Sequence, residues 1–366
     1  MSLEGFSAAQ IQHLHASTLD LFVKGPFKEI GIQDKPLLKR LEAKAKPFGA
    51  AKENISLPVK FDRGANGVDD SVKGFSGAEK VGFYNPANGK RATYIWREHH
   101  IGITLTETEL KTQGILVGDE FGNTTKNSGD RSFVVLADIL ETANKDWMER
   151  RADSMNRLLW GDGSADASAL HGIRAFISDI PTIGVTGGLS RTTNARWRNR
   201  ARTQAFAAHA SFDATWGGGR ITSSPTNGGA LITALQHEWR QLVRYGAKPN
   251  CFLCGSDFIE AYEGEFRANG FYSMTGFTGS QDGAVGDVKF KGITLEYDPT
   301  LDEMGRSKFG YLWDDRQIVL RPLEGDWKRM RTPARPFNQF VLHKSLVDTG
   351  QLTSDQLDGA LVIEIA

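Results

Sequence analysis

The residues of this chain whose types and spacing suit chemistry are few and far apart. Cys251-Phe-Leu-Cys254 has CxxC spacing. A zinc site needs a second ligand pair at short distance, and none follows. Redox pairs usually hold Gly, Pro or His between the cysteines, so two buried cysteines on an apolar strand are expected instead. Asp348-Thr349-Gly350 matches the aspartic-protease triplet, but that chemistry needs two aspartates sharing one proton. The flanking HKSLVDTGQLTSDQ lacks strongly apolar strands that would bury the triplet, and it is expected to be a turn. Trp216-Gly-Gly-Gly-Arg220 is not followed by Gly-Lys-Ser/Thr or at once by a helix, so it reads as a mobile loop and not a phosphate cradle. Asp162 to Asp166 lacks the bidentate Glu of a calcium loop. His99 and His100 fall in a β-run, where neighbouring side chains face opposite ways. No Ser stands in a GxSxG context. No catalytic constellation, cofactor or metal is expected.

Charge is the stronger signal. Arg191, Arg196, Arg198, Arg200 and Arg202 surround Trp197 in the densest basic cluster. Such a cluster binds phosphate or pairs with acidic groups of another subunit. With only Trp197 interleaved it is no stacking platform for a single strand, and subunit pairing is the preferred reading. A second basic stretch, residues 24–52, holds eight Lys or Arg against three Asp or Glu, among them Lys35, Lys39 and Arg40. Pro26, Pro36 and Pro47 keep it from being one helix. It reads as an extended arm with a short helix at Leu37 to Lys44, lying on a neighbouring subunit or a polyanion, or simply a solvated linker.

These residues must be positioned by a framework of helices and strands. The longest element is expected at Asp130 to Trp160, where Phe133, Leu136, Leu140, Ala143, Trp147, Met155 and Leu159 mark one helical face. Asp130 can cap its start and Gly161 ends it. At 1.5 Å per residue it is a rod of roughly 45 Å. Its other face carries Glu141, Lys145, Glu149 and Arg150. Upstream, Ser7 to Phe22 reads as a short amphipathic helix. Asn54 to Phe61 and Arg91 to Leu105 read as strands, separated by a Gly-rich stretch too long for a loop inside a compact domain. A β-ribbon that leaves the body explains it better. Downstream, helices are expected at Ala230 to Tyr245 and Asp257 to Asn269. Strands are expected at Cys251 to Cys254, Lys289 to Tyr297, Lys308 to Trp313, Gln317 to Leu320, Asn338 to Leu342 and Ala360 to Ile365. The class is α+β.

Bulk properties agree with a folded scaffold. The 366 residues are 40% hydrophobic and 24% charged, with a formal net charge of zero. No global field draws the chain to nucleic acid or membrane. Two cysteines make no disulfide framework, which fits an intracellular origin. No signal peptide is expected from the first 25 residues, and no apolar run reaches about 18 residues.

The order of parts resembles the major capsid proteins of tailed phages, which have the Hong Kong 97-type fold. That order is a basic arm, a long Gly-rich hairpin, an uninterrupted spine helix and a mixed lobe. KPLLKRLEAKAKPFGAAKENISLPVKF is similar to the arm leading into the hairpin in one capsid subgroup. WGDGSADASALHGIRAFISDIPTIGVTGGLSRTTNARWRNR is similar to that subgroup's segment after the spine. The resemblance spans nearly the whole chain. It implies an N-terminal arm at 1–53, an extended β-hairpin loop at 54–105 and a peripheral domain at 106–169 containing spine helix 130–160. An axial domain is implied at about 170–330, with C-terminal strands 331–366 returning to the peripheral domain.

The resemblance further implies a structural, non-enzymatic subunit of a tailed double-stranded DNA phage. Hexamers and pentamers would self-assemble into an icosahedral head that encloses the genome. The protein would be made in the bacterial host cytoplasm and reside in the virion. Implied partners are a portal, packaged DNA touched non-specifically by the inner face, and decoration or head-completion proteins; no membrane is involved. Little sequence precedes the arm, so a separate scaffolding protein is expected in place of a cleaved leader. Lys73, Lys80 and Lys90 lie where some members crosslink, but no acceptor Asn or catalytic Glu can be matched, and crosslinking is not expected. Inter-subunit contact candidates are these three lysines, Lys35, Lys39, Arg40, Glu141, Glu149, Trp197 and the five clustered arginines. The alternatives are an encapsulin-like nanocompartment shell and an enzyme using Asp348 or Cys251 and Cys254.

Overall fold

The computed structural model describes residues 33–49, 53–60, 75–80, 89–106, 147–164, 166, 168–223, 229–244, 246–268, 288–331 and 341–366. The expected N-terminal helix, residues 24–32 and 50–52 of the basic arm, the middle of the hairpin with Lys73, and helix residues 130–146 with Glu141 lie outside the described residues.

In chain order, α1 (Pro36–Ala43) precedes β1 (Asn54–Lys60), β2 (Gly89–Ile95) and β3 (Arg97–Thr106). Helix α2 occupies 147–160. Three short pairs of strand residues follow: β4 (Val185–Thr186), β5 (Leu189–Ser190) and, after β6 (Arg200–Arg202), β7 (Gly217–Gly218). Then come α3 (Ala230–Val243), β8 (Cys251–Cys254), α4 (Ser256–Ala268), β9 (Lys289–Phe290), β10 (Ile293–Tyr297) and α5 (Pro299–Glu303). The chain closes with β11 (Phe309–Trp313), β12 (Ile318–Pro322), β13 (Arg329–Arg331), β14 (Val341–Ser354) and β15 (Leu361–Glu364).

Two compact units emerge. The first joins Met1–Gln33, Glu98–Met155 and Gly325–Thr349. In it β14 pairs with β3 and, through Leu346 and Val347, with β13. Trp147 and Met155 of α2 are buried. The stretch around Asp348, expected to be a turn, is instead part of the 14-residue strand β14. Its polarity misleads because each buried polar side chain has a partner: Asp348 takes Arg151, and the Thr349 hydroxyl donates to Asp326 at 2.7 Å. Burial is tolerated once those hydrogen bonds are made.

The second unit holds Asp34–Arg97, Asn156–Glu324 and Gly350–Ala366. Its centre is a seven-stranded mixed sheet in the order β7-β6-β15-β11-β8-β10-β9. Strand β8 is buried on both faces, as its unbroken apolar run requires. Leu231, Leu235, Leu242, Phe258 and Tyr262 from α3 and α4 pack with Phe252, Cys254, Leu312, Leu361 and Ile363 from the sheet. The C-terminal strands divide between the two units, with residues 341–349 of β14 in the first and β15 in the second. Strand β15 lies inside this sheet, parallel to β6 and antiparallel to β11, because LVI is apolar on both faces and fits a central strand.

Glycines decide two local paths. Trp216 to Arg220 is not a mobile loop: Gly217 and Gly218 form edge strand β7, paired with Ala201 and Arg202. Gly217 has φ +147°, and a Cβ there would stand 1.7 Å from the Ala201 carbonyl oxygen, so only glycine fits. Gly187 and Gly188, both at positive φ, make the two-residue turn between β4 and β5. The run expected as one strand from Arg91 to Leu105 divides at Trp96. Strand β2 pairs with β1 from Asn54↔Ile95 to Lys60↔Gly89, giving the base of the hairpin, whereas β3 joins β14.

Candidate functional site

The groups best suited to enzyme chemistry are committed to the fold. Arg151 donates to Asp348 through Nε and Nη2, both at 2.7 Å, and the Lys328 amide adds a third bond at 2.9 Å. This carboxylate faces a guanidinium, not a second carboxyl with which to share a proton. Cys251 and Cys254 are fully buried free thiols, and burial pushes both well above the ordinary thiol range. A nucleophilic or redox thiol needs the opposite shift. Asp162 accepts from the Ser164 amide at 3.0 Å and its hydroxyl at 2.7 Å, closing a tight turn that holds the carboxyl below its usual range. Among the described residues no three His, Cys, Asp or Glu side chains are grouped to hold a metal. No described helix is long and apolar enough to cross a membrane.

The arginine cluster divides: Arg191, Trp197 and Arg200 are buried, and Arg196, Arg198 and Arg202 stay partly exposed. Arg191 is 1% exposed. It donates to Asn199 Oδ1 at 2.8 Å, to the carbonyls of Ala175 and Phe176 at 2.9 and 2.7 Å, and to Thr186 Oγ1 at 3.1 Å. Burial pushes its pKa down to about 10. The buried Trp197 donates its indole N–H to the Thr186 carbonyl at 2.9 Å. Arg198 donates to the carbonyls of Arg191 and Thr192. Arg200 and Arg202 both engage Glu238, a fully buried carboxylate on α3. Arg196 is half-buried. Arg191, Trp197 and Arg200 spend their polar groups on hydrogen bonds inside the fold.

The described part of the arm is tied to the body at two of its cations. It does meet acidic groups, but those of its own chain. Arg40 donates to Glu296 at 2.5 Å and to Asp315 at 3.3 Å, and Lys44 also pairs with Asp315. Leu37, Leu38 and Leu41 are buried, each contributing roughly 1.5–3 kcal/mol. The Leu38 amide donates to Asn156 Oδ1 at 3.1 Å, so α2 supplies the cap that Lys35 cannot. Asn156 Nδ2 in turn reaches Thr300, and Asp298 accepts the Trp160 indole N–H at 2.7 Å. Beyond the helix, Lys46 and Phe48 donate their amides to Leu320 and Pro322 of β12. Lys35 is buried, and Lys39 is exposed beside Asp34. In the hairpin, Lys80 is exposed, while Lys90 donates to Asn194 at 2.5 Å. Glu149 is partly exposed on α2.

Sequence reasoning passed over three buried carboxylates that organise this unit. Asp298 caps α5. Glu265 takes the amides of Leu231 and Ile232 at the uncapped start of α3, at 3.0 and 3.1 Å. Glu238 was detectable, because it sits on the apolar face of α3, seven residues after Leu231 and three after Leu235.

No protein-family model and no curated protein matches the sequence. Solved structures do. The chain is similar to a subunit of the cyanophage A-1(L) capsid asymmetric unit, with a TM-score of 0.61 and 16% identity over 93% of this chain and 94% of that one. It is also similar to a chain in a structure of Mycobacterium phage Bobi, with a TM-score of 0.51 and 10% identity over 96% and 98% of the two chains. The chain therefore has the α+β fold of tailed-phage major capsid proteins.

Proposed function

We propose that this protein is the major capsid protein of a tailed double-stranded DNA phage, a structural subunit that assembles as hexamers and pentamers into a closed head. The observation that carries this reading is the likeness to a cyanophage capsid subunit over 93% of the chain. The commitment of Asp348, Cys251 and Cys254 to internal bonding and burial weighs against the enzyme alternative. On this reading the two units correspond to peripheral and axial domains, the hairpin that starts at β1 and β2 lies over a neighbour, and scaffolding, portal and decoration proteins are supplied separately. A symmetric shell gains cohesion from modest contacts repeated many times.

Expression followed by electron microscopy tests the proposal. Closed icosahedral particles are expected, and a monomer or dimer at high concentration overturns it. Nuclease-protected DNA in particles purified from infected cells is expected of a phage head. Particles that instead hold a cargo protein and no DNA point to a nanocompartment shell.

A further inference from the structure

With Arg191, Arg200 and Arg40 engaged inside the fold, other exposed groups are available for contacts between copies. The second unit carries two exposed patches of opposite charge, each centred on an uncovered apolar group. The first is the outer face of α3 near its C-terminal end. Val243 is 43% exposed there, beside Arg240 three residues earlier and near exposed Lys248. Residues three and four apart on a helix share a face, and the helix C-terminus favours cations. The second patch lies at the start of α4. Tyr297 is 45% exposed and donates its hydroxyl to Asp302 Oδ2 at 2.6 Å. The other oxygen of Asp302 accepts the Ser256 amide at 3.1 Å, and Glu260, one turn beyond Ser256, is exposed on the outer face of α4. An exposed aromatic ring with the Asp302 carboxylate at its hydroxyl, and with Glu260 exposed on the adjoining helix, suits an arginine, by cation–π attraction and ion pairing together.

We propose that the α3 patch of one copy docks on the α4 patch of the next, with Arg240 seated against Tyr297 and Glu260. This inference rests on the shell reading above. The two patches differ, so the contact is head-to-tail, and a head-to-tail contact closes into a ring when its rotation permits. The occupant is a second copy of this chain, because the complementary surface is present on the same subunit. Phosphate-bearing ligands fit only the basic patch and leave the acidic aromatic one unexplained.

Charge reversal tests the pairing. Arg240→Glu alone and Glu260→Lys alone place like charges across every contact, and each should lower shell yield by about tenfold or more, since like charges across an interface cost several kcal/mol. Both variants should keep wild-type circular dichroism, because both side chains are exposed. The Arg240→Glu/Glu260→Lys double variant should recover shells, because it restores opposite charges at every contact of both five- and six-membered rings. Wild-type shells, with folded single variants that either assemble normally or fail without rescue, overturn the pairing while leaving the shell reading intact. A wild-type chain that forms no shells overturns both.

Discussion

Glu238 is fully buried and holds two arginines, Arg200 and Arg202, from the neighbouring strand. Burial alone would push its carboxyl up, but the hydrogen bonds and charges of the two guanidinium groups more than offset this and hold it below the usual range. Its contribution to stability is therefore complete above the unfolded carboxyl pKa of about 4.3 and is lost as pH falls through the lower folded value. Glu238→Gln leaves two poorly compensated cations near the core. It should cost about 3 kcal/mol in urea unfolding at neutral pH and flatten the acid limb of the stability profile. An unchanged midpoint would show that the arginines find other partners. Five arginines in twelve residues read as surface from composition, and only a distant acid brought to them by folding reveals otherwise.

Helix α1 shows how an element is held by groups far away in sequence. Its three buried leucines were legible from their spacing, but its cap was not, because Asn156 stands 118 residues away from Leu38. Asn156→Ala removes the acceptor of the Leu38 amide and the donor to Thr300. A loss of roughly 1–3 kcal/mol is expected, concentrated on the arm. Limited proteolysis should then cut between residues 44 and 53 faster than in the wild type, with little change in total helix content. Equal cutting rates would mean that the leucines and the Arg40 pairs alone hold the helix. The strand β14 carries a related lesson. Leu346 and Leu352 marked it weakly, while Asp348, Thr349, Gln351 and Thr353 concealed it, since all four are buried.

At the scale of the molecule, the seven-stranded sheet gathers strands from residue 200 to residue 364, so its order follows no local signal. The hairpin is the part that the proposed function places between copies. A two-stranded ribbon has little stability by itself, and a long one needs a surface to lie on. Deleting residues 63–88 leaves Phe61 and Asp62 to join Lys60 to Gly89, which are paired across β1 and β2. The shortened chain should fold with unchanged circular dichroism and fail to give stable shells by electron microscopy. Normal shells from it would remove the hairpin from the assembly contacts.

The sequence by itself determined the α+β class and most of the described strands and helices of the second unit. Those features follow from local periodicity and from glycine and proline positions, which act over a few residues. Only the tertiary structure decided which charges are buried. Arg191, Arg200, Glu238 and Asp348 have the composition of a wet surface, and each is held inside by a partner that folding supplies. It also decided where β15 sits and which patches stay exposed, because pairing and burial are set by residues distant in the chain.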